Sequence, residues 1–386
     1  MKVNHCELNS CQQFQWLCVS CGGSKDVRES TERVKSIGSD ENAVAGYPRG
    51  RFHHAACVHE SFVYIFGGKD RYSPLKDFWR LDIATQKWEQ IEFKESKLPH
   101  LQGHTMLSYK SELLIFGGTF CDTNEEAPLW IFNTDINFVR KWFESGVVQP
   151  CGRREHSAVI YKNSMYIYGG FFDNSGSTDE FWVFNIEEEL WQLIPRHKPG
   201  KRHGHVAVVV SNNMWLHGGM KELTALADFW AFNFSMCTWT KIKGVGMCPT
   251  LSNHTAHVLD NSLVLLGGTR AGQLMHDIWI FRFDTETWKQ VTTQYGDVYP
   301  PLSLHTSVLL QASKMLAINA DHTRSVPLLG TKTALSMLET VRPQTSPAMD
   351  ATDVSSPSTR QAKTTKVDIL QMDTIEAGSM NEKGRG

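Results

Sequence analysis

Six histidines recur along the chain at steps of 49 to 52 residues and are the first side chains to consider for chemistry. They are His54, His104, His156, His205, His254 and His305. An imidazole can ligate a metal or transfer a proton, but a metal needs three or four ligands that converge on one centre. A residue that occurs once per repeated unit is distributed around the molecule, so its copies diverge. We therefore expect these histidines to orient turns by hydrogen bonding to the backbone, and the sequence predicts no catalytic residue among them.

A second candidate metal site lies near the N-terminus, where Cys18 and Cys21 form a Cys-x-x-Cys pair downstream of His5, Cys6 and Cys11. Four thiolates at one point would suit a small structural zinc site. The upstream spacing fits no zinc ribbon, so the sequence predicts neither a metal nor another cofactor. The nine cysteines are an odd number and follow no apolar leader, which favours reduced thiols and a location in the cytoplasm or the nucleus.

Pairs of adjacent glycines are the next candidates, because glycine-rich turns can cradle phosphate. Each pair begins thirteen residues after one of the first five histidines: Gly67-Gly68, Gly117-Gly118, Gly169-Gly170, Gly218-Gly219 and Gly267-Gly268. A phosphate cradle needs a helix N-terminus directly after the glycines, whereas here a loop and a strand are expected to follow. Close backbone approach or a positive φ explains the pairs better. No nucleophile elbow or catalytic triad pattern occurs either, so we do not expect an enzyme.

Tryptophan spacing and apolar runs predict the elements that carry these landmarks. Ten of the twelve tryptophans fall into five pairs: Trp79 and Trp88, Trp130 and Trp142, Trp182 and Trp191, Trp230 and Trp239, and Trp279 and Trp288. The runs that end at the glycine pairs, such as Phe62 to Phe66 and Leu263 to Leu266, are short and almost wholly apolar. Such runs are typical of strands buried on both faces. Each unit is therefore predicted to contain four strands.

A four-stranded sheet of about fifty residues cannot bury both faces alone, so neighbouring sheets must stack on it, and radial stacking closes a β-propeller. The order of histidine, apolar run, Gly-Gly, acidic residue with aromatic residue, and second tryptophan also resembles the kelch repeat over residues 51–295. Asp77-Phe78-Trp79 and Asp228-Phe229-Trp230 fit that motif, whereas Pro128-Leu129-Trp130 departs from it. The resemblance implies an all-β kelch propeller, a family in which six blades are common.

The C-terminal part of the chain is less regular than the five central units. His305 starts a sixth unit, in which Ile318-Asn319 replaces the glycine pair. We therefore expect five clear four-stranded blades and a degenerate or truncated sixth within residues 51–340. Residues 341–386 are rich in serine, threonine and proline and lack aromatic residues, which predicts a disordered tail.

The N-terminal part offers a way to close the ring. Residues 1–23 include Phe14 to Val19, a segment that resembles the fourth strands of the central units and is a possible ring-closing strand. Residues 24–50 would then form a polar loop that leads into the first blade.

Strand direction alternates within a blade, so the loop before the first strand and the loop between the second and third strands emerge on the same face. Loops are where binding residues usually lie. Arginines and aromatics recur in both sets of loops, and together they suit a carboxylate-bearing or acidic peptide or protein. The predicted partner-binding residues are Arg51, Arg71, Tyr72, Phe120, Arg154, Phe172, Arg202 and Arg270. An alternative is that Arg51, Arg154 and Arg202 belong to the repeat consensus and only brace adjacent blades.

The chain has 39 basic and 41 acidic residues and no long apolar run. We therefore expect neither a nucleic acid nor a membrane as partner. The kelch resemblance implies a non-enzymatic interaction module, such as a ubiquitin-ligase substrate receptor or a scaffold or trafficking adaptor. Residues 1–50 are too few and too polar for an oligomerisation or cullin-adaptor domain, so the propeller or the tail would recruit other machinery directly. The alternative function is a small-molecule enzyme that uses the central pocket.

Overall fold

The computed structural model describes residues 46–93, 98–120, 129–142, 148–195, 198–275, 277–291, 303–311 and 314–318. Every regular element in these ranges is a β-strand, which confirms the all-β prediction. No helix long and apolar enough to span a bilayer occurs within them. The possible ring-closing strand in residues 1–23, the start of the polar loop and the C-terminal tail lie outside the described residues.

Five four-stranded antiparallel sheets follow one another along the chain, and the four strands of each sheet pair in sequence order. Blade 1 comprises Ala55–His59, Phe62–Phe66, Phe78–Asp82 and Trp88–Ile91, and blade 2 comprises Thr105–Tyr109, Glu112–Phe116, Leu129–Asn133 and Phe138–Trp142. Blade 3 comprises Ser157–Tyr161, Ser164–Tyr168, Phe181–Asn185 and Leu190–Ile194. Blade 4 comprises Val206–Val210, Asn213–His217, Phe229–Asn233 and Thr238–Lys241, and blade 5 comprises Thr255–Leu259, Ser262–Leu266, Ile278–Arg282 and Thr287–Val291.

Four small two-stranded sheets lie in the loops beside the blades. They pair Leu101–Gln102 with Thr119–Phe120, Phe171–Phe172 with Gly176–Ser177, Met220–Lys221 with Thr224–Ala225, and Thr269–Arg270 with Gln273–Leu274. These short pairings hold the loops that follow the glycine pairs close to the blades.

Most apolar residues of the second strands are buried, as the uninterrupted runs predict; Val63, Ile65 and Phe66 are all at 0% exposure. The described core consists of clusters that each join two neighbouring blades. Aromatic rings span these interfaces: the centroids of Phe116 and Trp191, for example, lie 5.5 Å apart. The sheets therefore cover one another's faces, which is the reason that an isolated repeat would not be stable.

A closed ring of backbone hydrogen bonds joins the inner strands around the axis. Its members are the residues that directly precede the six histidines: His53, Gly103, Glu155, Gly204, Asn253 and Leu304. Each N–H donates to the carbonyl oxygen of the counterpart in the preceding blade, at 2.8 Å for four links and 3.3 Å for the link from Leu304 to Asn253. The N–H of His53 donates to the carbonyl of Leu304 at 3.1 Å and completes the circle. All six residues have a positive φ, between 53° and 70°.

The ring shows that a sixth unit takes its place between blades 5 and 1. Its described strands, Thr306–Gln311 and Lys314–Ile318, form an antiparallel pair. Val308 packs against Val63, Ile65 and Leu81 of blade 1. The prediction of five clear four-stranded blades is confirmed, and the described part of the sixth unit is this strand pair.

The glycine pairs lie where neighbouring blades approach most closely. A Cβ atom on Gly117 would lie 2.5 Å from the carbonyl oxygen of Arg153 and 2.6 Å from Cε1 of His156, both in blade 3. The φ of Gly117 is also positive, at 74°. Close approach between blades therefore explains the glycine, in agreement with the expectation from sequence.

We expect Gly117→Ala to lower the free energy of unfolding by about 2 to 5 kcal/mol, because the methyl group adds a clash between blades to the backbone strain. Gly272→Ala is the matched control, since φ there is 79° and nothing lies within 4 Å of the new Cβ. The control should cost only about 1 to 2 kcal/mol. Urea unfolding followed by tryptophan fluorescence measures both values, and equal losses would contradict the proposed interface clash.

Candidate functional site

The loops before each first strand and those between the second and third strands lie together on one side of the ring, here called the upper face. The N–H of Arg154 donates to the carbonyl of Phe171 at 3.1 Å, and the N–H of Phe171 donates back at 2.8 Å. Equivalent bridges join Phe52 with Lys69, His203 with Met220, and Ser252 with Thr269. The two sets of loops that carry the predicted residues therefore do share a face.

Three arginines that start the blades lie beneath this face and are almost completely buried. Arg51 and Arg202 are each 1% exposed. The guanidinium of Arg51 donates to both carboxylate oxygens of Asp77 at 2.7 Å, and Arg202 binds Asp228 at 2.8 and 2.9 Å. Arg51 and Arg202 therefore cannot contact a partner directly, which corrects the prediction for these two residues. The physical reason is the bidentate ion pair with the acidic residue of the same blade.

The third buried arginine is Arg153, which donates to Glu180 at 2.6 Å. The alternative from sequence assigned Arg154 to the repeat consensus, but Arg153 holds the place equivalent to Arg51 and Arg202, three residues before the blade histidine. The constant spacing of three residues before the histidine could have identified Arg153 as the buried arginine. These arginines brace the loops within one blade, and not two adjacent blades as the alternative supposed.

The carboxylates of Asp77 and Asp228 have lowered pKa values although both are partly buried. Burial alone would raise the pKa of Asp77, but hydrogen bonds and the positive charge of Arg51 outweigh it and hold that pKa below its usual value. Trp79 also donates its indole N–H to Asp77, and Trp230 donates to Asp228 at 2.7 Å. The acidic residue and the first tryptophan of the repeat therefore form one structural network.

Arg270 occupies an intermediate position between the buried arginines and the surface. In blade 5, Leu251 takes the place of the buried arginine. Arg270 lies on the upper face, and its Nη2 is 3.6 Å from a carboxylate oxygen of Asp277. Nε of Arg270 also donates to the carbonyl of Thr250 at 3.4 Å. With a side-chain exposure of 35%, Arg270 is partly committed to the scaffold and partly open to solvent.

Arg154 lies on the upper face and is stacked on an aromatic ring. Its guanidinium carbon lies 4.4 Å from the ring centroid of Phe171. Nε and Nη2 both donate to one carboxylate oxygen of Asp173, at 3.1 and 2.8 Å, and Nη1 lies 3.3 Å from Glu155. The side chain of Asp173 is 61% exposed and that of Arg154 is 29% exposed.

His203 of blade 4 lies beside Arg154, Phe171 and Asp173, and these four residues are called the Arg154 cluster below. Its ring lies 5.0 Å from that of Phe171, and its Nδ1 lies 2.8 Å from the hydroxyl of Ser177. Burial, together with the positive charge of Arg154, lowers the pKa of His203. The residues predicted from sequence did not include Phe171 or His203. Phe171 directly follows a glycine pair, and His203 lies two residues before a repeat histidine, so their positions in the repeat could have identified them.

The tip of blade 1 carries the second exposed group. Tyr72 is 93% exposed, and Arg71 is exposed beside it. Asp70 fixes the turn by accepting hydrogen bonds from the backbone N–H groups of Tyr72 and Ser73, at 2.8 and 2.7 Å. Nη1 of Arg49 lies 4.0 Å from Asp70. This turn, residues 69–76, is called the blade 1 tip below.

The two phenylalanines of the prediction have different surroundings. The ring of Phe172 lies 4.8 Å beneath the guanidinium of Arg153 and is only partly exposed. Phe120 belongs to a short strand that pairs with Leu101–Gln102, and its side chain lies outside the described part of the structure. The structure therefore brings Phe172 close to the Arg154 cluster.

The two faces of the described propeller differ in charge. Once the three buried arginine pairs are set aside, the described loops of the upper face carry ten basic and seven acidic residues. The turns on the opposite side, here called the lower face, carry eight acidic and three basic residues. Among the described residues, the turns of the lower face are therefore the more acidic of the two sets.

A small channel runs along the axis below the upper face. The cavity has a volume of about 130 Å³, and its lining consists of the six repeat histidines and the six residues of the hydrogen-bonded ring. The histidines thus lie around one axis, contrary to the expectation that the repeat separates them. No group of metal-binding residues is placed to hold an ion in the described part of the chain.

Most of the channel histidines bind the preceding blade with Nε2. His156 contacts Thr105 at 2.8 Å, His205 contacts Ser157 at 2.9 Å, and His305 contacts Thr255 at 3.1 Å. His254 instead contacts His217 at 3.0 Å. Four of the six periodic histidines therefore tie neighbouring blades through side chains, and His104, His156 and His205 also interact with the backbone, as the sequence suggested.

Comparison with known proteins agrees with this architecture. The chain matches the family model described as the KLHDC2/KLHL20/DRC7 Kelch-repeats domain over residues 32–135 and 103–318. The fold and this match identify a β-propeller built from kelch repeats. The protein belongs to the kelch-repeat family.

Curated relatives share the repeats over part of their length. Kelch domain-containing protein 3 of Homo sapiens is 31% identical over 162 residues, which is 38% of this chain and 41% of the relative. Ras guanine nucleotide exchange factor F of Dictyostelium discoideum is 30% identical over 173 residues, or 39% and 15% of the two chains. Acyl-CoA-binding domain-containing protein 5 of Arabidopsis thaliana is 24% identical over 159 residues, or 38% and 24%. The match therefore spans less than half of each relative.

The channel histidines predict that acid destabilises the protein. Burial lowers the pKa of His104, His156 and His305 to about 3, so the folded protein resists protonation that the unfolded chain accepts near pH 6.5. Their contribution to stability is present above pH 6.5 and is lost as the pH falls from 6.5 towards 3. We expect the free energy of unfolding to fall by up to about 1.4 kcal/mol per pH unit for each such histidine. Denaturant unfolding at pH 7, 6 and 5 measures this slope, and equal stability at the three values would contradict it.

Ala55 offers a test of the tie between blades 1 and 2. It takes the place of the hydroxyl residues Thr105, Ser157 and Thr255, so His104 has no hydroxyl opposite it. We expect Ala55→Ser to raise the free energy of unfolding by about 0.5 to 1.5 kcal/mol through a new hydrogen bond. Ala56→Ser on the other side of the same strand is the control and should give no gain. Equal effects of the two serines in thermal and urea unfolding would contradict this role.

Proposed function

We propose that this protein is a non-enzymatic interaction module that binds an acidic or carboxylate-bearing peptide or protein through its upper face. The observation that carries the proposal is the partly exposed Arg154 guanidinium, stacked on Phe171 and flanked by His203. The rigid ring holds this cluster on the same face as the exposed Arg71 and Tyr72 of the blade 1 tip.

The cluster is prepared for carboxylate recognition. Stacking on Phe171 fixes the plane of the guanidinium, so little side-chain entropy is lost when a ligand binds. Asp173 neutralises the guanidinium in the free protein and, being largely exposed, can be exchanged for a partner carboxylate. Tyr72 supplies apolar area of the kind that anchors protein interfaces. The favoured ligand therefore combines Asp or Glu side chains with an apolar residue.

The contact set differs from the one expected from sequence. Arg71, Tyr72 and Arg154 remain in it, with Phe172 and Arg270 at its margin. Arg51 and Arg202 act only through the loops that they brace.

The central channel is a weaker candidate for function. Its volume of about 130 Å³ is well below the roughly 300 to 1,000 Å³ of pockets that enclose metabolite-sized ligands. The histidines that line it are largely engaged with the neighbouring blade. These two observations favour the upper face over an enzyme site on the axis.

The cellular role that follows is that of an adaptor. A substrate receptor of a ubiquitin ligase and a scaffold or trafficking adaptor both need one surface for the captured partner, and the upper face meets this need. In this proposal the protein works in the cytoplasm or the nucleus. The free thiols of the described residues Cys57, Cys151, Cys237 and Cys248 are consistent with a reducing compartment.

We expect Arg154→Glu to weaken binding of an acidic peptide at least tenfold, because it replaces the central cation by a repelled anion. The probe is a fluorescein-labelled peptide of alternating glutamate and tyrosine, measured by fluorescence anisotropy at low and physiological salt. Lys87→Glu, the same charge reversal in an exposed turn of the lower face, is the control and should bind like the parent. Circular dichroism melting should show little change for either variant. Equal affinity of the two variants, or loss of folding in Arg154→Glu, would count against the proposed site.

A further inference from the structure

The blade 1 tip carries an exposed serine that is directly followed by proline. Ser73 is exposed at the end of the turn in which the N–H of Asp70 donates to the Ser73 carbonyl at 3.0 Å. The hydroxyl of Ser73 has one described hydrogen bond, to Asp70 at 3.4 Å, which is at the long limit for an O–H donor. The oxygen is therefore accessible and only weakly engaged.

The residues that follow Ser73 define the enzyme that could modify it. Pro74 has no N–H and restricts the backbone of the residue before it to extended conformations. Lys76, three residues after the serine, is exposed. A serine followed by proline, with a basic residue three positions after the serine, is the acceptor sequence of proline-directed serine/threonine kinases.

We propose that Ser73 is a phosphorylation site for such a kinase, and that phosphorylation releases the acidic partner from the upper face. The second half of this inference rests on the proposed function. The hydroxyl oxygen of Ser73 attacks the γ-phosphorus of MgATP, and an oxygen–phosphorus bond forms. The bond to the β,γ-bridging oxygen breaks, ADP leaves with the electron pair, and the hydroxyl proton passes to the catalytic aspartate of the kinase.

The charge around Ser73 explains the expected effect. The blade 1 sector presents Arg49, Lys69, Arg71 and Lys76 against Asp70, which is a net charge of three positive once the buried Arg51 pair is set aside. A phosphate adds about −1.5 to −2 and brings three strong acceptor oxygens. It competes for the nearby arginines and repels carboxylates, so it opposes the ligand class that the upper face favours.

Two other serines of the chain precede proline, and they provide internal comparison. Ser346 and Ser356 lie in the C-terminal part, outside the described residues, and neither has a basic residue three positions later. The full-length chain with Ser346→Ala and Ser356→Ala leaves Ser73 as the remaining serine before a proline. Adding Ser73→Ala gives the matched control without an acceptor.

The first measurement is phosphate incorporation. The full-length double variant is incubated with MgATP and a purified cyclin-dependent kinase, and phosphopeptides are quantified by mass spectrometry. We expect close to one phosphate per chain at Ser73 and none in the variant that also carries Ser73→Ala. Absence of phosphate at Ser73 would overturn the modification site.

The second measurement is binding of the alternating glutamate–tyrosine peptide before and after modification. We expect affinity to fall at least tenfold on phosphorylation, to return after phosphatase treatment, and to be unchanged by Ser73→Ala alone. Stoichiometric phosphate with unchanged affinity would overturn the regulatory role. Failure of the unmodified protein to bind the peptide would overturn the proposed function, while the incorporation result would still decide the modification site.

Discussion

The structure depends on a circle of six backbone hydrogen bonds around the axis. Each link joins two neighbouring blades, and the contact between His53 and Leu304 makes the circle continuous. Each member has a positive φ, and for the four that are not glycine this conformation costs about 1 to 2 kcal/mol of strain. The strain is sustained because the apolar faces of adjacent sheets can be covered only when the blades stand around a common centre. The histidine that follows each ring member then ties the blades together a second time in most of the interfaces.

This arrangement separates scaffold residues from residues that are available to a partner. The arginine three positions before a blade histidine points inward and binds the acidic residue of its own blade, so its charge is cancelled within the fold. The next residue along the chain, as in Arg154, emerges on the upper face. A shift of one residue therefore decides whether an arginine is buried in the loops or reaches the partly exposed position of Arg154. Among the described residues, the opposite turns are the more acidic of the two sets.

Much of the fold could be predicted because the landmarks are chemical and periodic. Glycine pairs, apolar runs and paired tryptophans each fix one strand, and together they gave the four-stranded units and the propeller. The ring could not be predicted, because backbone atoms make it and its members include histidine, glycine, glutamate, asparagine and leucine. The site was predicted only in part. Arg71 and Tyr72 are exposed and Arg154 is partly exposed. The burial of Arg51 and Arg202 depends on how loops of one blade fold onto Asp77 and Asp228, and sequence spacing alone does not reveal that contact.

The most direct test of the account is native-state hydrogen exchange of the ring amides. If the circle is closed and the blades unfold together, the N–H groups of all six ring members should exchange with similar protection, near the free energy of global unfolding. The amides of His53 and Leu304 are the decisive ones, since they join the two ends of the repeat array. If the amides of His53 and Leu304 exchange much faster than those of Gly103, Glu155 and Gly204, the array of blades is open. That result would contradict the closed propeller on which the upper face depends.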